Sequence, residues 1–335
     1  MYTDEDLNYA VKKGVFTNNA VTEFRSLLAK ETHTALVDEE NFRLIGGFND
    51  IFIVIACALL LFSSAWVIRP VNESLAMLVF ALLSWGLAEF FVLKRKMALP
   101  AIALLLSFVG GVFWCVFSIM STIPSFSIQI ASFIGAVVAT LSAYCHWRRF
   151  RVPITVAVGT GALFVVCLSL LLSFFPAAND GLLVVVFLCG ISAFALAMYW
   201  DGSDTERTTR RSDVAFWLHL LSAPLIIHPI FSNLGILNGN ENIVNMFVVV
   251  VLYALMTSIS IAIDRRAFMV SSLGYVLYAV SGIIKNYGGI GYSFALTGVL
   301  IGVGLLLLSA KWHGMRVLLL GILPDAVKRF LPKLK

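Results

Sequence analysis

The feature that most constrains this chain is a series of ten apolar stretches, each about 20 residues long, separated by short polar loops. A helix needs about 20 mainly apolar residues to cross the hydrocarbon core of a bilayer, and its internal hydrogen bonds satisfy the backbone amides there. The sequence therefore predicts an all-α integral membrane protein with about ten transmembrane helices. The stretches are residues 51–68, 74–93, 99–120, 128–147, 153–175, 181–200, 214–237, 243–263, 267–284 and 291–310.

The composition favours a membrane protein over a soluble or nucleic-acid-binding one. Of the 335 residues, 60% are hydrophobic and 13% are charged, whereas a soluble domain carries about 25% charged residues. The net charge of +5 comes from short basic clusters between the apolar stretches, not from a basic patch or stripe. We therefore expect the lipid bilayer, and no nucleic acid, as the surrounding partner. All five cysteines lie within apolar stretches and are interpreted as small buried residues.

The basic residues also predict the orientation of the chain. Lys and Arg residues near the ends of spans are retained in the cytoplasm. If ten spans are counted, 22 of the 24 basic residues fall on the side that carries both termini, and only Arg69 and Lys285 fall on the other side. We therefore predict that both termini are cytoplasmic.

Three regions follow from this topology. Residues 1–48 form a cytoplasmic amphipathic helical segment, residues 49–312 the ten-helix domain, and residues 313–335 a cationic interfacial helix. In the first region, Gly14 separates two helical stretches, and Thr17 is a plausible N-cap for the second. That segment is either a solvated arm that packs on the inner loops or a docking element for a cytoplasmic protein partner.

The carboxyl-terminal region mixes bulky apolar and basic residues, as an interfacial cationic helix does. We expect it to lie on the inner leaflet, where each basic residue near anionic phospholipid contributes roughly 1 kcal/mol. The lipid-surface residues are Arg316, Lys328, Arg329, Lys333 and Lys335.

Four segments of the sequence together resemble a group of uncharacterised bacterial polytopic membrane proteins, classed as domains of unknown function. The segments are "KKGVFTNNAVTEFRSLLA" from Lys12, "DEENFRLIGGFNDIF" from Asp38, "RRSDVAFWLHLLSAPLIIHPIF" from Arg210 and the Trp-then-basic, Leu- and Pro-rich tail. In that group a short helical segment precedes eight to ten spans. The resemblance implies a bacterial inner-membrane location, and it implies no catalytic residue, cofactor or substrate.

Ionisable residues inside apolar stretches are candidate functional positions, because they are costly in a bilayer. Glu89 lies about one turn from the inner end of the second span, where a carboxylate that reaches the interface or pairs with Lys94 is favoured over a proton carrier. Asp213, His219 and His228 belong to the seventh span.

The seventh span also contains Pro224 and Pro229, which remove backbone hydrogen bonds and predict a kink. His219 and His228 are nine positions apart and face opposite sides of a regular helix, so they cannot share a metal ion unless the kink brings them together. A structural kink with hydrogen-bonded histidines is the favoured interpretation. Asp213 lies on one stripe with His228, which suits either a lined cavity or helix packing.

Two further patterns are structural. Gly298 and Gly302 form a GxxxG pattern that predicts close helix packing, within the chain or in a dimer. The inner loop after the sixth span places Asp201, Asp204 and Glu206 together, without the ligand spacing of a calcium loop, and is interpreted as a solvated, self-paired turn.

The sequence contains no His-Glu-x-x-His, Gly-x-Ser-x-Gly or Cys-x-x-Cys pattern, so it predicts no catalytic residue, cofactor or metal ligand. A non-catalytic membrane scaffold or a regulatory or assembly component requires no buried polar site and is the favoured function. A transporter of small or lipid-like solutes is the alternative, and a membrane-embedded enzyme that uses Asp213 and the histidines is the third.

Overall fold

The computed structural model describes residues 4–24, 48–205, 207, 209–234, 242–286, 293–324, 328 and 331–332. The chain divides into two units, residues 1–43 and residues 44–335. In the first unit, helix α1 spans Asp4–Lys12 and ends at Gly14, whose φ of 72° suits a left-handed helix terminus. A second helical stretch covers residues 18–24.

Thr17 caps this second stretch as predicted, since its hydroxyl oxygen accepts a hydrogen bond from the amide of Ala20 at 3.2 Å. The two predicted helical stretches are thus present as far as residue 24.

The second unit consists of helices, and no strand occurs among its described residues. Asn72, Ser127, Thr209 and Asn242 begin four of the helices, each with a side-chain oxygen that accepts a backbone N–H bond. The last turn of α3 continues as a π-helical turn, Glu89–Lys94. The helices are α2 (Phe48–Ile68), α3 (Glu73–Ala88), α4 (Ala98–Ser121), α5 (Ile128–Phe150), α6 (Ile154–Phe174), α7 (Leu182–Gly202), α8 (Arg210–Asn233), α9 (Ile243–Ile263), α10 (Ala267–Asn286), α11 (Ser293–Ala310) and α12 (Trp312–Ile322).

Nine helices in the described part of the chain are long and apolar enough to cross a membrane. The tenth predicted span, residues 291–310, corresponds to α11, which meets α12 at a bend of 76°. Ten spans are present if this bent pair is counted as one. The sequence thus predicted the number and positions of the spans closely, but it did not predict the sharp bend at Lys311.

Neighbouring helices pack in sequence from α2 to α6, and α7 packs on α8, and α9 on α10. Helix α8 also contacts α6 and α10 and thereby links the two halves of the bundle. Its central position explains its mixed composition, because a helix surrounded by protein can carry polar groups that lipid would not tolerate.

The structure bears on two predictions about small residues. No described atom lies within 4 Å of a Cβ built on Gly298 or Gly302, so the described part of this chain does not supply the close contact that GxxxG predicts, and the dimer alternative stays a prediction. Cys145 and Cys167 are exposed at the helix surface, whereas Cys57 and Cys115 are buried as expected. Apolar stretches in lipid do not reveal which side a residue faces, and this explains the error.

Candidate functional site

A group of buried charged residues lies where the ends of four helices meet, on the face of the bundle that carries the basic loops. We call it the charge cluster. It draws residues from the end of α7, the loop after it, α8, the turn between α9 and α10, and α12. Its members are Asp201, Arg207, His219, Asp264, Arg265 and Arg316.

Asp201 is the centre of the first half of the charge cluster. Its Oδ2 lies 2.9 Å from Nε2 of His219, and its Oδ1 accepts a bond of 2.8 Å from Nη2 of Arg265. The same Nη2 also donates to the carbonyl of Ser212 at 3.1 Å. The side chains of Asp201 and His219 are 1% and 0% exposed, so both carboxylate oxygens are held inside the protein by its own donors.

Asp264 is the centre of the second half. Its Oδ1 accepts a bond of 2.8 Å from Nε1 of Trp312, and its Oδ2 accepts one of 2.8 Å from Nη1 of Arg207. Nη1 of Arg316 lies 3.4 Å from the same Oδ2. One buried carboxylate thus joins the loop after α7, the turn after α9 and helix α12.

Two arginines of the charge cluster also donate to backbone carbonyls. Nη2 of Arg207 donates to the carbonyls of Ile263 and Asp264 at 3.1 and 3.2 Å, where α9 ends. Nη2 of Arg316 donates to the carbonyl of Pro332 at 2.7 Å. Because the last carbonyls of a helix have no partner within that helix, Arg207 stabilises the end of α9.

Burial and the neighbouring Arg265 guanidinium lower the pKa of Arg207, and the carboxylates of Asp264 and Asp201 oppose this change. Since an arginine remains protonated even when buried, Arg207 contributes a permanent positive charge. The cluster therefore places three guanidinium groups beside two carboxylates within a small buried volume.

His219 has one engaged and one unengaged ring nitrogen. Nε2 faces the carboxylate of Asp201, which can only accept, so Nε2 carries a proton, while the buried Nδ1 has no hydrogen-bond partner in the described part of the protein. Nε of Arg265 is also buried without a partner there. These two atoms are the unsatisfied polar groups of the Asp201 half.

The other predicted candidates on α8 lie apart from this histidine. His228 is exposed, and its Nδ1 lies 2.7 Å from the hydroxyl of Tyr275. Asp213 lies in the first turn of α8, where the helix dipole stabilises a carboxylate. The N-cap of this helix is Thr209. The two histidines thus have separate hydrogen-bonding partners, as predicted, and the structure does not bring them together.

The prolines of the seventh span lie inside α8, which remains helical through both of them. Gly190 of α7 packs directly on the segment that they flank. A Cβ built on Gly190 would lie 2.8 Å from the carbonyl carbon of Leu225 and 2.9 Å from the amide nitrogen of Ile226. A glycine is therefore needed at this crossing of α7 and α8.

Glu89 lies outside the charge cluster and has a different partner from the one predicted. Its two carboxylate oxygens accept bonds from Nε and Nη2 of Arg149, at 2.9 and 2.8 Å. The expected pairing with Lys94 is not made, and Arg149 of α5 binds the carboxylate instead. Arg149 is distant in sequence, and span counting could not find it.

The interpretation of the inner loop after the sixth span as solvated is wrong. The turn after α7 is not solvated, since Asp201 is buried and Asp204 accepts bonds from the amide and the hydroxyl of Thr209, at 2.9 and 2.6 Å. Glu206 lies outside the described residues. The carboxylates of Asp201 and Asp204 are stable when buried because the chain itself supplies their hydrogen-bond donors.

Arg316 is not at the lipid surface, because its side chain is 1% exposed and bonded as described above. The sequence shows only a basic residue on an amphipathic helix. The structure shows that its guanidinium is buried beside the carboxylate of Asp264. Lys328 is partly buried, while Arg329, Lys333 and Lys335 lie outside the described residues.

The sequence analysis did not identify four members of the charge cluster, Asp201, Arg207, Asp264 and Arg265, as functional candidates, because they lie at span ends or in loops. One signal was available. Asp264 directly precedes the basic pair Arg265-Arg266 at the end of the eighth span. An acid within a basic loop indicates a structural pair.

His146 is a second buried histidine that the sequence analysis passed over. Its ring lies beside those of Trp85 and Phe150, with ring centres 6.0 and 4.4 Å away, and its Nδ1 is 3.4 Å from the hydroxyl of Thr155. The described residues include no group of three or more His, Cys, Asp or Glu side chains that could hold a metal ion. The surroundings of His146 are aromatic, which suits packing.

The number and length of the apolar helices are those of a multi-pass membrane protein. Comparisons with models of known protein families, with curated proteins and with solved structures found no match for this chain. The class of protein therefore follows from the helices, and any more particular function must be argued from the charge cluster and the exposed surfaces.

Proposed function

We propose that this chain is a non-catalytic scaffold or regulatory component of a bacterial inner membrane, with both termini in the cytoplasm. The observation that carries the proposal is that the two carboxylates of the charge cluster are fully bonded within the chain. All four carboxylate oxygens of Asp201 and Asp264 accept bonds from the chain's own side chains. A transport or catalytic site must offer such groups to a solute, whereas a scaffold uses them to hold its helices in place.

The amino-terminal unit offers a surface for a protein partner. Tyr9, Phe16 and Phe24 are all exposed, with Phe16 48% exposed. Exposed aromatic side chains are enriched where proteins bind one another. This supports the docking alternative over that of a solvated arm.

Photocrosslinking in cells tests the proposal. A photoreactive phenylalanine analogue is placed at Phe16 in the full-length protein, expressed at its native level. A matched variant carries it at Val71, which is exposed in the loop between α2 and α3. We expect one discrete protein adduct from position 16 and none from position 71, together with a stoichiometric complex by native mass spectrometry in mild detergent.

The substitution Phe16→Glu should abolish the complex while leaving the helical circular dichroism unchanged. If positions 9, 16 and 24 all give no adduct and the protein purifies alone, the scaffold proposal is wrong.

A transporter is the second candidate, and the unengaged Nδ1 of His219 is the observation that favours it. Ionisable groups buried at membrane level are candidates for ion or solute pathways, and this nitrogen belongs to a helix with two internal prolines. Purified protein in sealed vesicles, tested with a broad panel of labelled solutes, should show a flux that His219→Gln lowers severalfold. Flux that the substitution leaves unchanged, or no flux at all, excludes this role for His219.

A further inference from the structure

Most of helix α12 lies in the region that the sequence predicts to be interfacial. It follows α11 after a bend of 76° at Lys311. Because α11 has the apolar composition of a spanning helix, a helix at 76° to it runs nearly parallel to the membrane plane. Helix α12 lies at the same depth as the helix ends that carry the charge cluster, because Trp312 donates a hydrogen bond to Asp264 in the turn after α9.

The helix has two distinct faces. Trp312, Arg316 and Leu320, spaced four residues apart, are 6%, 1% and 7% exposed and face the bundle. Met315, Leu318 and Ile322, on the opposite face, are 42%, 64% and 77% exposed. No charged side chain is exposed between residues 314 and 324. The outward face is thus uniformly apolar, and the one arginine of the helix is turned inward.

We propose that the outward face of α12 inserts into the acyl chains of the leaflet at the basic face, and that Asp264, through Arg316 and Trp312, fixes the rotation of the helix. Apolar residues on one face of a helix that lies in the membrane plane are typical of interfacial helices. The lipid contact is therefore apolar insertion, and not the attraction of Arg316 to headgroups.

The charges around α12 indicate which lipid is preferred. Lys311 is exposed at the start of the helix, Arg266 stacks on the ring of Trp312 with its guanidinium carbon 5.2 Å from the ring centre, and Lys328 follows the helix. All three are basic, so the edges of the inserted face complement an anionic leaflet. A protein partner would need acidic groups arranged in the same way around an apolar surface.

Fluorescence quenching in vesicles tests the insertion. The five native cysteines are replaced, and single cysteines at position 318 or 311 of the full chain are labelled with the environment-sensitive dye NBD. The protein is reconstituted into vesicles of phosphatidylcholine and phosphatidylglycerol that contain doxyl-labelled lipid. We expect the label at 318 to be quenched by shallow doxyl groups and shielded from aqueous iodide, and the label at 311 to be quenched by iodide.

Two results would overturn the insertion. If iodide quenches the label at 318 as strongly as that at 311, the face lies in water. If neither quencher reaches position 318, the face is covered by protein, either a second copy or a partner. Neither result bears on the crosslinks from Phe16, so this inference and the proposed function fail independently.

The substitution Arg316→Gln tests the fixed rotation. Without the guanidinium, α12 can turn about its axis, and we expect lipid quenching at position 318 to fall at least twofold while iodide quenching rises. Arg316→Lys keeps the charge but cannot reach Asp264 and Pro332 together, so an intermediate change is expected. Unchanged quenching in both variants would show that the rotation is set elsewhere. Circular dichroism and gel filtration establish that each variant is folded.

Discussion

At the scale of single residues, Asp264 connects the loop after α7, the turn after α9 and helix α12, a role that the hydropathy pattern does not show. It lies at the end of α9 in the left-handed region, with φ of 58°, a conformation that aspartate tolerates better than most residues. Its backbone turns the chain into α10 while its carboxylate accepts bonds from Arg207 and Trp312. One residue thus combines a turn with a buried ionic contact.

We predict that Asp264→Asn destabilises the protein by about 3–5 kcal/mol, because removal of one member of a buried ion pair leaves the other charges uncompensated. The melting temperature in detergent measures the loss. Arg69→Gln is the matched control, since its pair with Glu73 is 58% and 40% exposed, and surface pairs contribute about 0–1 kcal/mol. Equal melting temperatures for the two variants would contradict a structural role for Asp264.

His219 allows a second prediction at this scale. His219→Leu removes the donor to Oδ2 of Asp201 and should cost about 1–3 kcal/mol, because a buried acceptor is left unsatisfied. His219→Gln can still donate from its amide and should melt closer to the unaltered protein. If both variants melt alike, the histidine contributes through its volume alone and not through the bond to Asp201.

At the scale of elements, the crossing of α7 and α8 depends on Gly190. The backbone of α8 comes so close here that a methyl group would overlap the peptide between Leu225 and Ile226. Helix interfaces in membranes use small residues for this reason, since close backbone approach increases van der Waals contact. The crossing in turn brings Asp201 at the end of α7 level with His219 of α8.

We predict that Gly190→Ala destabilises the protein by about 1–3 kcal/mol, the usual cost of overpacking, because the contact is with backbone that cannot move aside. Gly298→Ala is the control, since no described atom lies within 4 Å of its Cβ position. Thermal melting in the same detergent compares the two. A stable Gly190→Ala variant would indicate that the two helices can separate at little cost.

At the scale of the whole molecule, charge organises the protein in two ways. Exposed basic residues mark one face of the bundle, and buried acid–base pairs at that same face join the helix ends. Exposed basic residues near span ends bias the orientation in which the spans insert. The buried acid–base pairs stabilise the folded protein.

The predicted topology can be tested with single cysteines in a background without the native ones. We expect Arg95→Cys and Ser203→Cys, at the basic face, to react with a membrane-impermeant maleimide only after the cells are opened. Asn72→Cys, in the loop between α2 and α3, should react in intact cells. If all three positions react in intact cells, or if none of them does, a topology with both termini in the cytoplasm is contradicted.

The fold could be predicted from sequence to a large extent, and the charge cluster could not. Length and apolarity alone determine that a stretch such as 153–175 becomes a spanning helix, because its amides have no other way to satisfy their hydrogen bonds in lipid. Local chemistry likewise determined the cap at Thr17. These are properties of contiguous residues, and a sequence displays them directly.

Which residues face inward was decided only by the tertiary structure. Arg316 and Arg149 are both basic residues near a span end, yet one is buried against Asp264 and the other pairs with Glu89 at the surface. The choice depends on which helices become neighbours and at what rotation, and lipid and protein interior are equally apolar, so hydropathy does not distinguish them. The sequence alone determined that the chain enters the membrane, whereas helix packing determined which of its charges meet.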